Sequence, residues 1–140
     1  MGARFHLAFP VHDLDVARAF YGELLGCPEG RADERWVDFD FWGNQITAHL
    51  SEDAAAPTTN EVDGDQVPAR HFGAILPWEE WEAVRDRLLA RDVTFRIHPR
   101  IRFRGEVGEQ ATMFFDDPSG NVIELKAFRD EASIFARDVS

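Results

Sequence analysis

Apolar and polar positions alternate with period two in four short stretches of this chain, and recur every three or four positions in two longer ones. In "RFHLAFP", Phe5, Leu7 and Phe9 alternate with Arg4, His6 and Ala8; in "QITAHL", Ile46, Ala48 and Leu50 alternate with Gln45, Thr47 and His49. In "RHFGAIL", Phe72, Ala74 and Leu76 alternate with His71, Gly73 and Ile75, and in "NVIELK", Ile123 and Leu125 alternate with Val122, Glu124 and Lys126. Such alternation predicts strands with one buried face. The longer stretches predict helices: Leu14, Ala17, Phe20 and Leu24 make one stripe, and Trp81, Val84 and Leu88 the other. Asp13 and Gly26 suit the N-cap and C-cap of the first. The second opens with Glu79, Glu80 and Glu82 and closes with Arg85, Arg87 and Arg91, matching the helix dipole.

These elements come in the same order twice. His71 lies 65 positions after His6, Trp78 lies 65 after Asp13, and Leu88-Leu89 lies 64 after Leu24-Leu25. Each half continues into strand-like segments around a Gly-Asn pair, "FDFWGNQITAHL" and "FFDDPSGNVIEL". The doubling predicts a single domain over 1–140, built from a βαβββ-like module at 4–50, a polar, acidic, proline-broken linker at 51–69, a second module at 70–128 and a tail at 129–140.

Composition narrows the function. With 44% hydrophobic and 12% aromatic residues, 140 residues can bury one sizeable core. A formal charge of -11 argues against nucleic acid and anionic membranes as partners. No stretch approaches the roughly 18 apolar residues of a membrane span, and the start of the chain lacks the pattern of a secretory signal. A single cysteine, Cys27, excludes an internal disulfide, so a reducing, cytoplasmic setting is expected.

The chemistry lies on the polar face of the predicted strands. His6, His49, His71 and Glu124 each sit opposite the apolar positions that meet the helices, and a curved sheet would point all four into its hollow side. Three imidazoles and a carboxylate make a ligand inventory suited to Fe(II), Mn, Ni or Zn. His12 and His98 lack this support, and Cys27 and Tyr21 read as packing residues. "RIRFRG" places Arg100, Arg102 and Arg104 on one side of an extended segment, either a site for a substrate anion or a charged edge. Phe39, Phe41, Trp42, Phe103 and Phe114 could line an aromatic cup for a small molecule.

His6, "DLDVARAFYGELLG", "HFGAIL" and above all "FDDPSGNVIELK" resemble the vicinal oxygen chelate superfamily, which includes glyoxalase I, extradiol dioxygenases and antibiotic-resistance proteins. The resemblance covers residues 4 to about 128 and is strongest toward short, stand-alone proteins described as extradiol-type dioxygenases. It implies an α+β fold in which paired βαβββ modules form a curved, cup-shaped mixed sheet with helices on the convex side. It also implies association of modules between chains, hence a homodimer, and a small vicinal-diol or aromatic substrate chelated to a divalent metal. His6, His71 and Glu124 match the extradiol ligand set, with Fe(II) placed ahead of Mn, Ni or Zn. Three ligands leave three octahedral positions, enough for a diol and dioxygen. With His49 as a fourth ligand two remain, which suits a glyoxalase-type lyase or isomerase acting through an enediolate. A metal-free binding protein of the resistance type is the third alternative. The sequence departs from the dioxygenase pattern at Phe114, where that pattern has Tyr, and between Gly105 and Gln110, where it has His. Proton transfer then falls to His49, with Phe103, Phe114, Arg102 and Arg104 as substrate contacts.

Overall fold

The computed structural model describes residue 2 and residues 4–52, 59–62, 65–68 and 70–136. Its contacts divide the chain into two units, and residues 117–121, between two strands of the second unit, group with the first.

In the first unit β1 (His6–Val11) leads into α1 (Leu14–Ala17, continued by π-helical turns at Arg18–Leu24), then β2 (Glu29–Ala32), β3 (Trp36–Phe41) and β4 (Asn44–Leu50). The sheet runs β1-β4-β3-β2, with β1 parallel to β4 and the others antiparallel. Asp13 caps α1 by accepting the Val16 amide at 3.0 Å, and Gly26 ends it at φ +79°. The buried stripe differs from the one the pattern predicts: Ala17, Phe20, Tyr21 and Leu25 are buried, while Leu14 and Leu24 are only half-buried. The Leu25 amide reaches back five residues to the Phe20 carbonyl at 3.0 Å. This wider turn moves the core-facing position on by one. Tyr21 packs between Phe9 and Phe39, at 5.2 and 5.4 Å between ring centres.

The second unit holds a hairpin of β5 (Thr59–Val62) and β6 (Asp65–Pro68), then β7 (Phe72–Ile75), α2 (Trp78–Leu89), β8 (Phe95–Arg102), β9 (Gln110–Asp116) and β10 (Val122–Phe128). Its main sheet, β7-β10-β9-β8, repeats the strand order of the first, as the doubled sequence predicts. Trp81, Val84 and Leu88 are buried, and the Trp81 indole donates to the Leu125 carbonyl at 2.8 Å. Ile123 and Leu125 are fully buried on that side of β10.

The expected α+β architecture of paired modules is present, as two four-stranded mixed sheets that are not joined by hydrogen bonds among the described residues. The segment 51–69, expected to be a linker, contains the β5–β6 hairpin; 53–58, 63–64 and 69 lie outside the described residues, as does the end of the tail at 137–140. β2, with the sequence "EGRA" and all four residues exposed, carries no apolar alternation to announce it.

Candidate metal centre

Glu124, the carboxylate set among Val122, Ile123 and Leu125, finds its partner on the neighbouring strand region. Its Oε1 lies 3.3 Å from Nε2 of His71, with side-chain exposures of 15% and 29%. The other ring nitrogen of His71, Nδ1, is 2.9 Å from the Pro68 carbonyl. A carbonyl only accepts, so Nδ1 carries a proton. Nε2 is then left either to donate to the carboxylate or to join it as a ligand of a shared cation. Ligand atoms about 2.1 Å from one ion stand about 3.0 Å apart at right angles and about 3.4 Å apart at a tetrahedral angle. The observed 3.3 Å fits two ligands of a single ion.

Two further features hold this pair. Thr112 donates its hydroxyl to Oε2 of Glu124 at 2.7 Å, which fixes the carboxylate plane. Gly73 pairs with Glu124 across β7 and β10, and a Cβ there would collide with the Glu124 carbonyl oxygen. Glycine is required for this approach. A cavity of about 230 Å³ opens over the pair, lined by His71, Phe72, Gly73, Ala74, Ile75, Glu124 and Lys126.

His6 and His49 belong to the first unit. Both are exposed, on the face opposite Phe9, Ile46 and Ala48. His6 pairs with Gln45 and His49 with Pro10, four residues further along β1. At about 3.3 Å per residue their backbones stand about 13 Å apart, so they do not share an ion within this sheet. Matching the two sheets by their equivalent pairs, Leu7 with Ile46 and Phe72 with Ile123, aligns Glu124 with Thr47 rather than with His49. Thr47 donates to Oδ1 of Asp38 at 2.6 Å. Among the described residues no three His, Cys, Asp or Glu side chains converge; the structure brings together His71 and Glu124.

Phe114 pairs with Glu124, is buried with Ile97 and Val122, and turns its ring edge-on to His71 at 5.1 Å between centres. Phe103 sits just beyond β8 at φ +54°, 40% exposed, with the Arg102 guanidinium 4.9 Å from its ring centre; Arg104 is exposed in the following loop. Of the aromatic cup suggested by sequence, Phe39 and Phe41 belong to the core instead. Thr112 and Lys126 are site residues that the pattern did not single out, since neither breaks the alternation of its strand.

In the first unit Tyr21 does more than pack. Its hydroxyl donates to Oδ2 of Asp117 at 2.9 Å, and Asp117 also accepts the Ser119 amide and both the amide and side-chain nitrogens of Asn121. Burial raises the Asp117 carboxyl above its usual range, partly offset by these hydrogen bonds, and raises the Tyr21 phenol well above its own. Asn121 and Ser119 then bond the Pro10 carbonyl and His12, so "DPSGN" is a docking loop for the end of β1.

The chain belongs to the Glyoxalase/Bleomycin resistance protein/Dioxygenase superfamily, which it matches over residues 4–125. A glyoxalase/bleomycin resistance protein/dioxygenase of known structure from Alicyclobacillus acidocaldarius is 32% identical, with 96% of this chain and 97% of that one covered and a TM-score of 0.78. The fosfomycin resistance protein FosX from Listeria monocytogenes shares the fold at 20% identity, covering 91% and 93%, with a TM-score of 0.69. A virulence protein from Salmonella typhimurium does so at 23%, covering 91% and 98%, with a TM-score of 0.60. No helix among the described residues is long and apolar enough to cross a membrane.

Proposed function

We propose that this protein is a metal-dependent enzyme of the superfamily, acting as a dioxygenase-like oxidoreductase on a small vicinal-diol or aromatic substrate. The observation that carries this is the 3.3 Å approach of His71 Nε2 to Glu124 Oε1 with the outer nitrogen of His71 already bonded to Pro68. His6 is the third ligand in this proposal, and Fe(II) the preferred ion, ahead of Mn, Ni or Zn. When bound, such an ion polarises a chelated substrate and, as Fe(II), supplies the redox chemistry of oxygen insertion.

The chain's own residues do the rest. His71 and Glu124 hold the ion, Pro68 and Thr112 fix their orientation, and Phe114 presses against the His71 ring and keeps water from that side. With Thr47 bonded to Asp38 in the position that aligns with Glu124, a three-ligand set is favoured over four, and His49 is free to exchange a proton with substrate. Phe103, Arg102 and Arg104 contact the substrate at the rim, and two copies of the chain associate as a homodimer, for which sedimentation velocity is the check. The test of function is oxygen uptake by protein loaded anaerobically with Fe(II) and given catechol. Ring-opened product is expected from the native protein and none from Glu124→Ala; a metal-loaded native protein that consumes no oxygen with any diol contradicts the oxygenase assignment.

A further inference from the structure

One step along the strands from His71 and Glu124, the second sheet carries a row of cations. Lys126 pairs with Thr112 across β10 and β9, and Thr112 pairs with Arg100 across β9 and β8. Paired residues of antiparallel strands share a face, and Lys126, two positions after Glu124, shares the face of that carboxylate. The three-residue step on β8 from Ile97 to Arg100, against two on β9 from Phe114 to Thr112, is a bulge at His98-Pro99. It brings Arg100 onto the face of Ile97, which simple alternation would not do. Arg102, opposite Gln110, follows in the next row.

Lys126 is the only lysine in the chain, in a molecule whose other basic side chains are arginines and whose formal charge is -11. It lines the same cavity as His71 and Glu124. Among the described residues its ammonium lies 5.7 Å from the Phe128 ring centre and meets no carboxylate. A compact, strongly hydrated charge at the wall of a small cavity beside the His71–Glu124 pair is suited to an anionic oxygen that arrives with the ligand.

Building on the metal centre proposed above, we infer that Lys126, with Arg100 in the adjoining row, binds an anionic group of the substrate, a carboxylate or phosphate, so that the site selects an acidic diol over a neutral one. Zinc-loaded protein, which binds without turnover, is titrated calorimetrically with catechol and with 3,4-dihydroxybenzoate, which differ only in the carboxylate. The expected result is at least tenfold tighter binding of the acid than of catechol, a ratio that falls to about one in Lys126→Gln. Because Lys126 is the sole lysine, reductive methylation with labelled formaldehyde gives it a single dimethyl-lysine NMR signal, expected to move with the acid and not with catechol. Equal affinities in the native protein, or an advantage that survives in Lys126→Gln combined with Arg100→Gln, overturn the inference. If neither diol binds, the metal-chelate proposal fails, and inorganic phosphate added to metal-free protein decides the anion site alone: a shifted Lys126 signal supports it and an unmoved one overturns it.

Discussion

Thr112 donates its hydroxyl to Oε2 of Glu124 at 2.7 Å from the neighbouring strand. The bond commits one carboxylate oxygen and leaves Oε1 facing His71 at 3.3 Å. Orientation of this kind is worth roughly 10–100-fold in metal affinity at sites where it has been removed. Thr112→Val, which keeps the shape and deletes the donor, is therefore expected to weaken zinc binding by about that factor while leaving the circular dichroism of the fold intact. Competition with a chromophoric chelator measures it, and unchanged affinity would show that Thr112 is only a filler.

Gly73 makes a second, steric prediction. A methyl group at this position meets the Glu124 carbonyl oxygen, so β7 and β10 must separate or shift. Gly73→Ala should cost more than about 2 kcal/mol of stability, in the range of strained backbone substitutions. It should also reduce metal retention, whereas Gly2→Ala, with open space around it, should change neither.

The fold was largely legible from alternation and repetition. β1, β4, β7, β10 and both helices announce themselves by periodicity, because each buries one face. β2 and the β5–β6 hairpin do not, since backbone pairing with little apolar contrast leaves no periodic trace. The shift of the α1 stripe to Tyr21 and Leu25 was hidden for another reason: it follows from a five-residue hydrogen bond, which residue type alone does not encode. At the site, the parity of His71 and Glu124 could be read, but the roles of Thr112, Gly73 and Lys126 depend on strand register. The offset of His49 from the position of Glu124 likewise emerges only when the two sheets are matched pair by pair.

Tyr21 gives a pH prediction. Burial first, then the Asp117 charge and hydrogen bond, and last Cys27, raise its phenol well above the usual 10.0. A folded-state value above the unfolded one means that stability is fully present below about pH 10 and is lost as pH rises beyond it. Tyr21 is the only tyrosine, so phenolate absorbance reports on it alone. The absorbance should rise together with unfolding rather than before it. Tyr21→Phe should lose about 1–3 kcal/mol at neutral pH, by leaving Asp117 short of a donor, and should show a shallower alkaline decline in melting temperature. Phenolate appearing near pH 10 in still-folded protein would contradict the buried hydrogen bond.

His49 separates the three-ligand and four-ligand mechanisms. Its place opposite Pro10, four residues along β1 from His6, argues that it acts on substrate and not on the ion. His49→Ala should keep the native metal content and lower kcat. Parallel loss of metal and turnover would make His49 a ligand and return the enediolate mechanism to first place.

The central claim is that His71 and Glu124 hold a divalent ion, and metal analysis of protein purified without added metal tests it most directly. About one transition-metal ion per chain is expected in the native protein and none in His71→Ala or Glu124→Ala, with all three equally folded by circular dichroism. A native protein that comes metal-free and takes up no Fe(II), Mn, Ni or Zn on titration, or variants that retain as much as the native chain, would contradict the account.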